Sequence, residues 1–210
     1  MAKVLAILTD GFEEIEAVAP IDLLRRAGIE VTIAAVTARE TGESGTKSLS
    51  VTGRCGMVFQ AECTLATALS GENAEAPYDC LLLPGGPGVK TLRTSPLVID
   101  AVRQHHAAGR LVAAICAAPL VLLDAGILRG RRYTAHGSVV DELPELLANE
   151  AVVMDESGAG GPVVTSRGAG TALEFGLVLV EHLAGRARAE QIFREIHMTY
   201  GALSKWDCLG

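Results

Sequence analysis

Leu111–Leu120 reads LVAAICAAPL. Its first five residues form a short continuous apolar run, the pattern of a strand buried on both faces of a parallel sheet. Helical apolar spacing then takes over in CAAPLVLLDAGIL, with Pro119 helping to start the helix and a glycine to stop it. Cys116 therefore stands where a strand turns into a helix, and the position leaves two readings open. Free cysteine is among the most buried residue types and sits here in an apolar run. A strand-to-helix turn, however, also projects a side chain out of the sheet and sets its sulfur beside backbone N–H groups, which favours the thiolate. Ala114, Ala117 and Ala118 are small enough for so sharp a turn.

The flanking sequence repeats the theme. KVLAILTDG is a second buried strand, followed by a helix whose Ile15, Val18, Ala19, Leu23 and Leu24 share one face and whose stop is Gly28. A strand from Glu30 to Val36 completes a right-handed crossover unit. YDCLLLPGGPG adds a strand ending in a Pro-Gly-Gly turn, and SPLVIDAVRQHHAAG a helix capped by Ser95 with Pro96 in its first turn. RYTAH reads as a short strand ending at His136, and DELPELLANE as a helical turn. AVVMDE and PVVTSRG read as two strands joined through SGAGG. GTALEFGLVLVEHLAG is a buried helix and RARAEQIFREIHMTYGAL a more solvent-facing one. TARETGESGTKSLSVTG is a polar, turn-rich insert, and RCGMVFQAECTLATAL has room for a short edge strand and a short helix. No composition shift marks a linker, so the expectation is one α/β domain over residues 1–210, a mostly parallel sheet with helices on both faces.

Composition narrows the function. With 25 acidic and 18 basic residues the net charge is -7, which offers no broad basic face for a phosphate backbone and argues against an obligate nucleic-acid partner. Cysteines 55, 63, 80, 116 and 208 show no CxxC spacing and are odd in number, as expected of a reducing compartment. The N-terminal apolar run is too short for a signal peptide, and the longest apolar run is too short for a bilayer, so a soluble cytoplasmic protein without a membrane partner is expected. Neither a phosphate-binding loop nor a dinucleotide fingerprint is present, and His105, His106, His182 and His197 lack companion ligands, so no cofactor and no metal are expected.

In open α/β sheets ligands collect beyond the carboxyl ends of the strands. Glu13, Glu14 and Glu16 follow the first strand, Gly85 and Gly86 the third, Cys116 the fourth, and His136 closes RYTAH. Gly85 and Gly86 are able to offer unshielded N–H groups to an oxyanion, or form a plain turn. Glu16 suits either a proton shuttle kept protonated by desolvation or a charge favouring the helix dipole. His136 suits a base or acid for sulfur, or a structural hydrogen bond. SRGAGTALEFG has the small residues of an anion nest, or of tight helix packing.

Taken together, AAICAAP, GFEEIEAV, DLLRRAGIEVT, YDCLLLPGG and TSRGAGTALEFG resemble, in order, the ThiJ/PfpI superfamily and in particular its parkinsonism-associated protein deglycase branch, over roughly Lys3 to Arg186. The resemblance implies a flavodoxin-like, class I glutamine amidotransferase-like three-layer sandwich. It implies that Cys116 is a strained, oxidation-prone nucleophile, that Glu16 hydrogen-bonds its sulfur, that Gly86 and Ala117 line the oxyanion site, and that His136 stands nearby. The implied activity is conversion of 2-oxoaldehydes such as methylglyoxal to 2-hydroxyacids, without glutathione or cofactor, with possible repair of early glycation adducts on proteins. The alternative is a redox sensor or holdase chaperone whose cysteine is oxidised to sulfinic acid. Homodimers are implied, with Arg26 near the interface. The chain departs from the family pattern at Arg54, one residue before the usual pocket arginine, at Gly137 where relatives have proline, and in the tail from about 187 to 210. In a strand, one step of register turns a side chain to the other face, which sets Arg54 in question.

Overall fold

The computed structural model describes residues 1–36, 49–70, 78–143 and 145–199. The strands are β1 (Lys3–Leu8), β2 (Glu30–Ala35), β3 (Ser50–Thr52), β4 (Val58–Gln60), β5 (Cys63–Thr64), β6 (Cys80–Leu83), β7 (Leu111–Ile115), β8 (Val152–Asp155) and β9 (Val163–Ser166). The helices are α1 (Glu14–Arg26), α2 (Leu65–Ala68), α3 (Val89–Thr94), α4 (Pro96–Ala107), α5 (Pro119–Asp124), α6 (Ala172–Ala184) and α7 (Arg186–Glu195). Seven strands form the main sheet in the order β5-β2-β1-β6-β7-β9-β8, parallel except where β8 pairs antiparallel with β9. β3 and β4 make a separate antiparallel hairpin.

The apolar runs become double-faced strands because consecutive side chains enter opposite layers. Val4, Ala6 and Leu8 of β1 join Leu23, Phe175 and Phe193 on one face. Leu5 and Ile7 join Leu83, Val98 and Leu122 on the other. The result is the three-layer α/β sandwich of the flavodoxin-like, glutamine-amidotransferase-like class. β1 connects to β2 on one side and has β6 on the other, so the strand order reverses beside β1, where open sheets place their ligands.

Several expectations need correction. On α1 the buried residues are Ala17, Pro20, Ile21, Leu23 and Leu24, whereas Ile15 is 55% and Val18 40% exposed. The inward face is rotated because Glu14 and Glu16 are themselves buried on it. RYTAH forms no strand. Its Arg132 N–H donates to the Asp155 carboxylate and its Thr134 N–H to the Thr165 hydroxyl, so side chains take the place of a backbone ladder. The described residues of DELPELLANE form turns and no helix. Residues 37–48 of the polar insert, and residues 200–210 of the tail with Cys208, lie outside the described residues. α7 occupies the first part of that tail and packs on α6 through Ala189, Ile192 and Phe193. Among the described residues no helix is long and apolar enough to cross a membrane.

α1 lies against α6 at Gly176, where an added Cβ would come within 2.7 Å of Leu23 Cδ1 and 2.9 Å of Pro20 Cα. Backbone on one side of that contact leaves little room to give. Gly176→Leu is expected to destabilise the fold by about 2 kcal/mol through overpacking. Gly170→Ala, which meets nothing within 4 Å, is the control expected to stay within about 0.5 kcal/mol. Urea unfolding of both variants checks the contrast.

Candidate active site

Cys116 follows β7 directly and has φ +65°, the left-handed region that a side chain ordinarily avoids. Such a conformation costs about 1–3 kcal/mol and persists only where the surroundings impose it. Two backbone bonds do so: Cys116 N–H donates to the Ser166 carbonyl at 2.8 Å, and the Cys116 carbonyl accepts from His136 N–H at 2.9 Å. The sulfur is thereby turned out of the sheet. It is half-buried in a cleft of about 450 Å³ that Glu13, Glu16, Gly86, Ala117, His136 and Ala169 also line.

Glu16 reaches the same point from α1. It is 1% exposed, and its carboxyl hydrogen-bonds the sulfur of Cys116. Glu16 Oε2 accepts from Gly85 N–H at 2.9 Å, and the Ala169 N–H also faces the carboxyl. Gly85 thus has its N–H engaged by Glu16, which withdraws it from the oxyanion role the sequence suggested. Its lack of a side chain is required all the same: a Cβ there would lie 2.6 Å from both Cys116 Cβ and Glu16 Oε2. Gly86, at φ +92°, would place a Cβ 2.5 Å from the Gly11 carbonyl oxygen. The N–H groups of Gly86 and Ala117 face the sulfur.

Burial, with help from the charge of Glu13, pushes Glu16 up to about 7, against the lowering effect of its hydrogen bonds. Burial and the Glu16 carboxylate push the Cys116 thiol up to about 12, while the Gly86 and Ala117 N–H groups pull it down. The two groups form one coupled system. With Glu16 ionised, the thiol keeps its proton; with Glu16 protonated, the opposing charge is gone and the carboxyl becomes a hydrogen-bond donor to sulfur.

His136 sits at the exposed mouth. Its Nδ1 accepts from Ser138 N–H at 3.2 Å and lies 2.9 Å from the Ser138 hydroxyl, an arrangement that puts the proton of the neutral ring on Nε2. The ring edge faces Gly168, where an added Cβ would lie 3.4 Å from His136 Cδ2 and 3.7 Å from Glu16 Oε1. The structure thus brings Cys116, Glu16, Gly86, Ala117 and His136 together, with no side-chain hydrogen bond described between His136 and either Cys116 or Glu16.

Arg54 also lines the cleft. The register argument against it fails because Arg54 lies in the turn between β3 and β4, outside both strands. That turn is tied to the start of α1: Arg54 N–H donates to the Phe12 carbonyl at 2.8 Å, and Cys55 and Met57 N–H groups donate to Glu14 Oε1 at 2.7 and 3.4 Å. Burial raises the pKa of Glu14, but these bonds outweigh it and leave the group below its ordinary value. Arg26 lies elsewhere, paired to Asp22 within α1 at 2.6 Å, with its carbonyl accepting from Arg188. Ala169 is the contact that sequence reasoning missed. The small-residue stretch that signalled an anion nest does meet an acid, and the acid is Glu16.

The raised Glu16 pKa carries a stability consequence. Between 4.5 and about 7 the folded chain holds a proton that the unfolded chain has lost, so stability falls by about 3 kcal/mol as pH rises through that window. Glu16→Gln is expected to remove this component, flattening the pH dependence of the urea midpoint between pH 5 and 8. An unchanged dependence would contradict a protonated Glu16.

The model of the DJ-1/PfpI family matches residues 2–182. The chain is 35% identical over 194 residues to "Parkinson disease protein 7 homolog" of Danio rerio, covering 90% of this chain and 94% of the relative. It is 35% identical over 123 residues to "Glutathione-independent glyoxalase DJR-1.2" of Caenorhabditis elegans, covering 57% of this chain and 62% of the relative. The structure of "Toxoplasma gondii DJ-1, oxidized" superposes with a TM-score of 0.81 at 31% identity, covering 95% of this chain and all of the other, 100%. With the family match spanning residues 2–182 and a 35% identical relative covered over 94% of its length, the chain is a member of the DJ-1/PfpI family.

Proposed function

We propose that the chain is a cysteine-dependent, glutathione-independent glyoxalase that converts 2-oxoaldehydes such as methylglyoxal to 2-hydroxyacids. The observation that carries this reading is the contact between the strained Cys116 sulfur and the buried Glu16 carboxyl, with Gly86 and Ala117 N–H groups beside the sulfur. The similarity to a glutathione-independent glyoxalase of Caenorhabditis elegans supports it.

The chemistry follows from the proton positions. The ionised form of Glu16 takes the thiol proton as the Cys116 sulfur adds to the aldehyde carbon, giving a hemithioacetal. The new oxygen forms beside the sulfur, within reach of the Gly86 and Ala117 N–H groups as it carries charge. Glu16 and His136 then move the proton from the former aldehyde carbon to the neighbouring one through an enediol, leaving a 2-hydroxyacyl thioester. Water cleaves the thioester, releasing the 2-hydroxyacid and returning the thiol. Aldehyde oxidation is balanced internally by ketone reduction, so no external redox partner is required.

Early glycation adducts on proteins present the same carbonyl oxidation level and form a second substrate class in this proposal. A homodimer is also part of it, supported by the exposed apolar Ile15 and Val18 on α1. The solution compartment proposed is the cytoplasm. The same thiol supports a second reading as an oxidation sensor, favoured by the acid able to hydrogen-bond an oxidised sulfur. The readings part on turnover, since a sensor consumes oxidant in fixed stoichiometry with the chain, two equivalents to reach the sulfinic acid, and makes no hydroxyacid.

The test is lactate formation from methylglyoxal without glutathione. Cys116→Ala is expected to abolish it, Glu16→Gln to lower kcat by about 100-fold, and His136→Ala by about 10-fold, below the usual range for a proton-transfer group because its ring is exposed. Circular dichroism establishes that the variants fold. Equal rates in the native protein and Cys116→Ala, or no lactate from the native protein, would overturn the reading.

A further inference from the structure

The cleft is larger than a three-carbon aldehyde requires, and its charges are not all committed. At about 450 Å³ it falls in the range that accommodates substantially bigger ligands. Three cations line it: Arg54, Lys90 and Arg93. Arg93 is fully engaged, 2.6 Å from Asp124 and 2.8 Å from Glu142. Glu142, itself a lining residue, is thereby paired. Glu13 turns its Oε2 onto the Glu16 N–H at 2.9 Å at the start of α1, where the helix dipole favours a negative charge. Glu16 holds a proton up to about neutrality.

Arg54 and Lys90 remain. Both are exposed, and neither has an ion pair or a side-chain hydrogen bond among the described residues. They come from separate elements, Arg54 from the β3–β4 turn and Lys90 from α3, and converge on one cleft with the apolar Val89, Leu120 and Val139. On a chain with a net charge of -7, two uncommitted cations lining the cleft that holds the reactive sulfur run against the overall field. A neutral methylglyoxal leaves them unused.

We propose that Arg54 and Lys90 are specificity determinants that select 2-oxoaldehydes carrying a carboxylate or phosphate monoester away from the reacting carbons. This rests on the glyoxalase reading above. The dicarbonyl end meets Cys116, the apolar wall covers the connecting carbons, and the anionic end meets a guanidinium fork and an ammonium point charge.

The test compares matched pairs of substrates: 4,5-dioxopentanoate against its methyl ester, and phosphohydroxypyruvaldehyde against hydroxypyruvaldehyde. In the native protein at low salt the anionic member is expected to have a kcat/KM about tenfold or more above its neutral partner, falling as salt is added. The pair with the larger ratio identifies carboxylate or phosphate as the preferred group. In the Arg54→Gln/Lys90→Gln double variant the ratio is expected to drop to about one, and Lys90→Arg to retain most of it. A ratio near one in the native protein, or one unchanged in the double variant, overturns the proposal. A binding arm keeps it separate from the catalytic reading. The protection of Cys116 from iodoacetamide by 4-oxopentanoate, which has no aldehyde, is expected in the native protein and lost in the double variant. If no aldehyde is turned over, the glyoxalase reading fails, and this arm alone decides whether the cations bind anions.

Discussion

The structure depends on a carboxyl group that is expensive to bury. Glu16 is almost inaccessible, yet three other parts of the chain are built around it: the glycine turn after β6 through Gly85 N–H, the segment after β9 through Ala169 N–H, and the turn after β7 through the sulfur of Cys116. An acid excluded from water raises its own pKa and weakens the fold at neutral pH. A core built for stability alone would place an apolar residue there. Its position against a thiol gives the destabilising group a chemical purpose, because the carboxyl donates a hydrogen bond to the sulfur when protonated and accepts one when ionised.

That contact in turn dictates local backbone geometry. Cys116 adopts a left-handed conformation because the chain must leave β7 and aim its sulfur at α1, and the bonds to Ser166 and His136 hold it there. Gly85 lacks a side chain because Cys116 and Glu16 occupy the space. The parallel sheet brings these pieces together: β1, β6 and β7 are neighbours, so residues separated by a hundred positions in the chain end at one rim.

Much of this was legible in the residues. The apolar runs of β1, β6 and β7 are long enough and sharply enough ended to mark buried strands, and Gly28 does stop α1. The turn at Cys116 announces itself by the switch from strand-like to helical spacing. What failed is instructive. On α1 Leu23 and Leu24 do face inward, but hydrophobic spacing cannot reveal that Glu14 and Glu16 are buried and Ile15 and Val18 exposed. RYTAH has the pattern of a strand, but its N–H groups go to the Asp155 carboxylate, the Thr165 hydroxyl and the Cys116 carbonyl instead of to a neighbouring strand's ladder. Strand alternation does not govern Arg54, which lies in a turn, and the Ala169 contact depends on a tertiary approach that no local pattern encodes.

The central claim is that Glu16 keeps its proton beside Cys116 well above the usual carboxylate range. The most direct measurement is an infrared difference spectrum between the native protein and Glu16→Gln, followed as a function of pH. The account predicts a protonated-carboxyl band, present at pH 6 and lost as pH rises through about 7. A band already gone by pH 5, with only an ordinary carboxylate signal above it, would contradict the account.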